Sequence, residues 1–211
     1  MKIKICGITL IEDAQLCVEH GVDAIGFIFY SKSKRYVSPE DAKNIVASLP
    51  IFTHKIGVFV NEDVAEVNRI AKQVGLSGVQ LHGNETVEYI SQITHPVVKS
   101  FGVDESFDFS LIEAYKDCTI LLDVKDTEQH GGTGNSFDWE LIPEDIRSRV
   151  IIAGGVSPNN IVEIHEKINP YGVDLSSSVE VSPGIKNSKK IIDVLKIINK
   201  IKQQEYDKRT D

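Results

Sequence analysis

The sequence lacks the features that mark several specialised classes of protein. It has no apolar run approaching the roughly 20 residues needed to cross a bilayer, and its N-terminus shows no signal-peptide pattern. It has only three cysteines, Cys6, Cys17 and Cys118, an odd number without metal-ligand spacing. We therefore expect a soluble protein of the reducing cytoplasm that does not enter a membrane.

The charge balance lacks the excess of Lys and Arg that is typical of nucleic-acid-binding proteins. Asp and Glu number 31 against 23 Lys and Arg, which gives a formal net charge of −8 at pH 7. This balance argues against a general polyanion-binding surface, but a local phosphate site can still be built from backbone N–H groups. The six histidines show no metal-binding spacing. We expect no cofactor, no metal and no nucleic-acid partner.

The sequence does contain a regular alternation of apolar, β-branched runs with segments of helical periodicity. The runs are spaced about 20–30 residues apart, which is the length of one strand plus a returning helix and therefore predicts parallel strands. They begin near Ile3, Ala24, Lys55, Gly78, Val97, Thr119, Val150 and Gly172. An open doubly wound sheet is the alternative, but no strand leads into a G-x-G-x-x-G segment.

This pattern predicts an α/β fold, a single (β/α)8 TIM barrel forming one catalytic domain over residues 1–204. Three segments indicate helix starts: Thr9 in a capping-box spacing, Ser38 before Pro39, and Ser157 before Pro158. The final helix is predicted from about residue 188 to residue 203. Residues 205–211 are predicted to form a frayed, charged C-terminal tail.

Two reactive side chains stand at predicted strand ends, where barrel enzymes place their active sites. Cys6 ends the first strand beside Gly7, which allows a sharp turn, and Asp123 ends the sixth strand. Facing each other across the barrel mouth, they would form an acid/base pair that needs no metal. A space-filling role for Cys6 and a capping or loop-tying role for Asp123 stay open.

Small residues after the last two strands predict a phosphate site. Gly154 and Gly155 follow the seventh strand, and Ser176, Ser177 and Ser178 follow the eighth. Such residues let backbone N–H groups approach an anion, and the hydroxyl groups add donors. Ordinary turns are the alternative.

Three other features lie in predicted loops. Arg35 stands in a basic loop and is predicted to clamp a carboxylate, unless that loop is simply solvated. His82 follows the fourth strand and is predicted either to contact the substrate or to be a structural hydrogen-bonding residue. The run 131–134, which is Gly-Gly-Thr-Gly, indicates a flexible lid after the sixth strand.

A set of short motifs runs in order along nearly the whole chain. They are Lys4-Ile5-Cys6-Gly7-Ile8-Thr9, Gly26-Phe27-Ile28-Phe29-Tyr30, Ser31-Lys32-Ser33-Lys34-Arg35-Tyr36, Gly57-Val58-Phe59-Val60-Asn61, Val79-Gln80-Leu81-His82-Gly83, Leu121-Leu122-Asp123, Gly131-Gly132-Thr133-Gly134, Phe137-Asp138-Trp139, Ala153-Gly154-Gly155, Val173-Asp174-Leu175-Ser176-Ser177 and Ser182-Pro183-Gly184-Ile185-Lys186. In this order and spacing the motifs resemble those of the phosphoribosylanthranilate isomerases, barrel enzymes of tryptophan biosynthesis.

The resemblance implies an isomerase that catalyses the Amadori rearrangement of N-(5-phosphoribosyl)anthranilate to 1-(2-carboxyphenylamino)-1-deoxyribulose 5-phosphate. It implies that Asp123 is the general acid on the ribose ring oxygen and Cys6 the general base for the C2′ proton. Arg35 would hold the anthranilate carboxylate or ring, and Asp174 would lie near the anthranilate amine. The phosphate would bind at the two loops of small residues, and the protein would be a monomer or a homodimer.

Two positions depart from the family pattern, which usually has glycine at position 178 and aspartate at position 187. Ser178 fits if its φ is negative and would be strained by about 1–3 kcal/mol if it is positive. Asn187 precedes the last helix, where Asn and Asp are near-equal caps. These departures keep a non-catalytic phosphosugar-binding paralogue open as an alternative. A sister phosphosugar barrel enzyme is a third possibility.

Overall fold

The computed structural model describes residues 1–124 and 138–210, and side chains as far as residue 207. Eight parallel strands form a closed barrel in the order of the chain, which confirms the predicted (β/α)8 fold. The strands are β1 (Lys2–Cys6), β2 (Ala24–Ile28), β3 (His54–Phe59), β4 (Gly78–Leu81), β5 (Val97–Val103), β6 (Thr119–Val124), β7 (Val150–Ile152) and β8 (Gly172–Leu175). Each begins within one residue of its predicted start.

The barrel closes where β1 pairs with β8, and this register positions two charged groups. Lys4 lies opposite Asp174 across that pair. Because side chains alternate along a strand, Lys4 and Cys6 share the inward face of β1. Ile3 and Ile5 lie on the other face, in the core between the barrel and its helices. The side chains of Lys4 and Cys6 are thus held in place by a strand that is paired on both sides in the closed sheet.

The helices surround the barrel and connect its strands. They are α1 (Ile11–Glu19), α2 (Pro39–Ala47), α3 (Val64–Val74), α4 (Val87–Ile90), α5 (Glu144–Arg147), α6 (Ile161–Lys167) and α7 (Ser188–Thr210), with 3₁₀ turns at Phe109–Tyr115, Trp139–Leu141 and Ser177–Val179. A short antiparallel hairpin, β9 (Glu180–Ser182) and β10 (Ile185–Lys186), follows β8. Among the described helices, none is both long and apolar enough to cross a membrane.

Only one of the three predicted helix starts is confirmed. Ser38 caps α2, and its side chain accepts a hydrogen bond from the N–H of Asp41. The capping box at Thr9 is wrong, because the Thr9 hydroxyl instead donates to the carbonyl of Gly184. The start at Ser157 is also wrong, because a turn intervenes and α6 begins at Ile161. In both cases a tertiary contact or a turn takes the place of local capping.

The last helix is longer than predicted. α7 continues to Thr210, so residues 205–210 are helical where the sequence predicted a frayed tail. Asn187 precedes it as expected, and its side-chain oxygen accepts from the N–H of Lys190. Asn187 therefore serves as a helix cap in place of aspartate.

Candidate active site

A cavity of about 550 Å³ opens at the carboxyl ends of the barrel strands. This volume is in the range of small-molecule sites. The cavity is lined by all of the predicted site residues: Cys6, Arg35, His82, Asp123, Gly154, Gly155, Asp174, Ser176, Ser177 and Ser178. Side chains from five different strands or their loops therefore converge on one space.

The Cys6 thiol lies at the end of β1 and is 6% exposed. Gly7 follows it with φ of +76°, as the expected sharp turn requires. Burial raises the pKa of the Cys6 thiol; the nearby charge of Asp174 also raises it, while Lys4 and Lys186 lower it. A base needs the thiolate, so its formation here depends on positive charge close to the sulfur.

Lys4 lies beneath Cys6 and was missed by the sequence analysis. Its Nζ is 2.7 Å from Asp174 Oδ2, and both side chains are buried. Burial raises the pKa of the Asp174 carboxyl, and the opposing effect of Lys4 does not fully offset it. The other carboxyl oxygen, Oδ1, is buried and has no hydrogen-bond partner within the described part of the chain. That oxygen is placed to accept from a ligand in the cavity.

Asp123 lies at the end of β6 and is 7% exposed. Its Oδ1 accepts from the N–H of Val124 at 2.8 Å, and its Oδ2 lies 3.5 Å from His82 Nε2. Gln80 Nε2 lies 3.0 Å from His82 Nδ1. This contact orients the imidazole so that its Nε2 faces Asp123. The carboxyl is thus both tied to the loop and set at the cavity wall.

Arg35 does form the bidentate carboxylate contact that its sequence context suggested, but with a carboxylate of the protein itself. Its Nε lies 3.0 and 3.1 Å from the two oxygens of Glu180, and its Nη2 is 2.9 Å from Oε2. Lys186 donates to Glu180 Oε1 at 2.7 Å and also to the Cys6 carbonyl. Glu180 therefore joins the loop after β2 to the hairpin that supports Cys6.

The two predicted phosphate loops lie side by side at the cavity wall. Gly154 and Gly155 have φ of +68° and +67°, a conformation that glycine adopts without strain. Asn160 braces this loop, since its Nδ2 donates to the Gly155 carbonyl at 2.9 Å. Positive φ among the described non-glycine residues occurs only at Asn61 and Asn169. Ser178 is therefore unstrained, and its buried hydroxyl has no partner in the described structure.

The sequence analysis missed four residues that build the site: Lys4, Gln80, Glu180 and Lys186. For Lys4 a signal was available. A lysine between Ile3 and Ile5, two residues before Cys6, must share the inward face of the strand with the thiol. Glu180 and Lys186 offered no such signal, because their hairpin was not predicted. The lid predicted at 131–134 lies outside the described residues.

The chain as a whole is similar to the members of one protein family. The family model described as N-(5'-phosphoribosyl)anthranilate isomerase matches residues 3–197. The N-(5'-phosphoribosyl)anthranilate isomerase of Citrifermentans bemidjiense is 44% identical over 191 residues, which is 90% of this chain and 93% of that protein.

Two solved structures share the architecture. The crystal structure of phosphoribosyl anthranilate isomerase from Thermotoga maritima is 42% identical and superposes with a TM-score of 0.86, covering 93% of this chain and 97% of that one. A phosphoribosyl anthranilate isomerase in complex with reduced 1-(o-carboxyphenylamino)-1-deoxyribulose 5-phosphate is 41% identical, with a TM-score of 0.83 over 93% of this chain and 97% of that one.

Proposed function

This chain belongs to the N-(5'-phosphoribosyl)anthranilate isomerase family, and we propose that Cys6 and Asp123 carry out the proton transfers of the reaction that this family catalyses. The chain is an isomerase of tryptophan biosynthesis, acting on N-(5'-phosphoribosyl)anthranilate. The observation that supports the assignment of roles is the single cavity in which a thiol from β1 and a carboxyl from β6 meet. Asp174 on β8 also lines the cavity, but its Oδ2 is paired with Lys4 at 2.7 Å.

The first step opens the ribose ring. Asp123, in its protonated form, donates its proton to the ring oxygen, and the bond from that oxygen to C1′ breaks. The anthranilate nitrogen supplies the electrons, so that an iminium forms between C1′ and nitrogen. Its carboxyl is fixed at the cavity wall by the Val124 N–H on Oδ1 and by His82 Nε2, 3.5 Å from Oδ2. Proton transfer by a positioned acid contributes typically about 10²–10⁴-fold to the rate.

The second step removes the C2′ proton. The Cys6 thiolate takes this proton, the C–H electrons form the C1′–C2′ double bond, and the iminium electrons return to nitrogen. The product is a neutral enolamine, which becomes the ketone when C1′ gains a proton and the C2′ hydroxyl loses one. The positive charge of the iminium acidifies the C2′ proton and favours the thiolate next to it. The iminium charge therefore lowers the pKa of the Cys6 thiol, against the rise that burial causes.

The anthranilate end of the substrate is held by groups on β8 and in the loop after β2. Asp174 Oδ1 is buried and unpartnered in the described structure, so it can accept from the anthranilate amine. Arg35 is fixed by Glu180 in the cavity wall, where its guanidinium offers a flat, positively charged surface to the aromatic ring or its carboxylate. These two contacts orient C1′ between the acid and the base.

The phosphate binds at the loops formed by Gly154 and Gly155 and by Ser176 to Ser178. Backbone N–H groups and hydroxyls at this wall can donate hydrogen bonds to the phosphate oxygens. The unstrained Ser178 adds a hydroxyl donor where the family usually has glycine. Neither Ser178 nor the capping residue Asn187 interferes with the site, which removes the reason for considering a non-catalytic paralogue.

A crystal structure with reduced 1-(o-carboxyphenylamino)-1-deoxyribulose 5-phosphate tests these roles together. We expect the phosphate on the two small-residue loops and the sugar between Cys6 Sγ and an Asp123 oxygen. We also expect the amine within hydrogen-bond distance of Asp174 Oδ1. A bound sugar that contacts only one of Cys6 and Asp123 would contradict the proposed pair.

A further inference from the structure

Lys4 is a buried lysine that the reaction described above does not use. Its side chain is 6% exposed and ends near Asp174 and Cys6, two of the residues that line the cavity. Asp174 accepts from it at 2.7 Å, and its positive charge also acts on Cys6, whose pKa it lowers. A buried cation in this position stabilises the ionised form of either neighbour, the Asp174 carboxylate or the Cys6 thiolate.

Gly26 shows how closely Lys4 and Cys6 are packed. A Cβ atom added at Gly26, which pairs with Cys6 in the barrel, would lie 2.8 Å from Cys6 Sγ and 3.1 Å from Lys4 Nζ. Both atoms therefore border the same small space on β2, and glycine is the residue that leaves room for them. The sulfur and the ammonium are therefore neighbours on the inward face of β1.

We propose that Lys4 is a positioning residue for Cys6, whose ammonium is shared between Asp174 and the sulfur and sets how readily the thiolate forms. This inference rests on the proposed role of Cys6 as the base. When the cation interacts mainly with Asp174, the buried thiol stays neutral. When a ligand amine occupies the free oxygen of Asp174, more of the positive charge acts on Cys6, and the thiolate forms beside the bound substrate.

The other charged groups near Cys6 do not provide this sharing. Lys186 on β10 donates to the Cys6 carbonyl and to Glu180 Oε1, so its charge is matched within the hairpin. Arg35, which packs over Gly7, is matched by the same carboxylate. Lys4 is the cation whose partner, Asp174, also lines the cavity and faces the substrate.

Alkylation of Cys6 by iodoacetamide as a function of pH tests the proposal without substrate, because only the thiolate reacts. The protein carries Cys118→Ala, which removes the partly exposed cysteine. Cys17 is fully buried, and burial raises its pKa to about 12. Mass spectrometry of the peptide that contains Cys6 then gives the midpoint for that thiol alone.

Two substitutions should move the midpoint in opposite directions. Lys4→Met keeps the length but removes the charge, and we expect it to raise the midpoint by about 1–3 pH units, the range for loss of a close opposite charge. Asp174→Asn should lower the midpoint, because it removes a like charge and releases the ammonium. A merely structural role for Lys4 predicts no such opposed shifts. An unchanged or lowered midpoint in folded Lys4→Met would overturn the proposal.

Lys4→Met leaves Asp174 buried without its partner, which strongly destabilises the fold. The double variant Lys4→Met with Asp174→Asn has no unpaired charge, and it is compared with Asp174→Asn alone. We expect a higher midpoint in the double variant, and equal midpoints would refute the proposal. A wrong assignment of Cys6 as the base gives a different result. Cys6→Ala would then keep its activity, while substitution of Lys4 would still shift the alkylation midpoint of Cys6.

Discussion

Arg35 Nη2 lies 2.9 Å from Glu180 Oε2, and this ion pair holds the loop after β2 against the hairpin after β8. Both side chains are largely buried, and Glu180 also accepts from Lys186. Burial works against ionisation of Glu180, but hydrogen bonds from Arg35 and Lys186 outweigh it and lower its pKa. Glu180 is thus ionised at neutral pH and keeps Arg35 at the cavity wall.

Glu180→Gln should weaken substrate binding more than it slows the chemical steps. The neutral amide cannot hold the guanidinium by two charged contacts, so Arg35 loses its fixed position at the anthranilate end. We expect KM to rise by about tenfold, the equivalent of one charge-assisted hydrogen bond, with a smaller change in kcat. Steady-state kinetics check this.

Glu66→Gln is the matched control for that variant, because Glu66 pairs with Arg69 on the exposed surface of α3. It should leave KM and kcat unchanged. Equal KM values for Glu180→Gln and the wild-type protein would show that Arg35 does not need this anchor.

Gly154→Ala should displace the proposed acid. A Cβ at Gly154 would lie 2.6 Å from Asp123 Oδ1 and 2.7 Å from the backbone N of Val124, closer than real Cβ atoms approach. The residue also has φ of +68°, which costs about 1–3 kcal/mol for a side chain. We expect lower stability and a loss of kcat beyond what the stability change explains.

Gly21→Ala separates these two effects. Gly21 has φ of +84°, but nothing lies within 4 Å of its added Cβ. The Gly21→Ala variant should show a similar loss of stability in thermal unfolding, while the folded variant keeps its kcat. If both variants kept full kcat, Asp123 would not need the position seen here.

Ser178→Gly introduces the residue usual in the family and should weaken phosphate binding. The buried Ser178 hydroxyl has no partner in the described structure and borders the proposed phosphate loops. Loss of one hydrogen bond of about 0.5–1.5 kcal/mol predicts weaker binding of inorganic phosphate by roughly twofold to tenfold. The measurement is the rise in Tm with phosphate concentration. A larger rise in Tm for Ser178→Gly would contradict a donor role.

Asp23 lies at the end of the barrel opposite the cavity, and its ionisation should make the free energy of unfolding depend on pH. Burial raises its pKa, but hydrogen bonds from Lys2, Ile3 N–H and Lys202 outweigh this and lower it below 3.8. An acid with a lowered pKa stabilises the fold above its unfolded pKa, and this contribution disappears as pH falls through the folded pKa. Asp23→Asn should therefore lower the free energy of unfolding by about 1 kcal/mol at pH 7.

The difference between wild type and Asp23→Asn should shrink when denaturation is repeated below pH 3.8. Glu163→Gln, which removes an exposed pair with Lys167, serves as the control and should have little effect at either pH. A deficit in Asp23→Asn that stays constant with pH would mean that its charge is not the stabilising factor.

The barrel was predictable because its signals are local. Each strand is a short apolar run, and each starts within one residue of the predicted position. Cys6 and Asp123 could be placed at strand ends for the same reason. Glu180 could not, because its value to the site comes from Arg35, 145 residues away in sequence. Thr9 shows the converse, since a distant carbonyl competes successfully with its local capping signal.

The most direct test of the account is kcat on N-(5'-phosphoribosyl)anthranilate for Cys6→Ala and Asp123→Asn, with Cys17→Ala as the control. Cys17 is a buried cysteine on α1 that does not line the cavity. We expect each of the first two variants to lose about 10²–10⁴-fold in kcat with the fold retained, and Cys17→Ala to keep its kcat. Wild-type kcat in either Cys6→Ala or Asp123→Asn would contradict the assignment of the base or the acid.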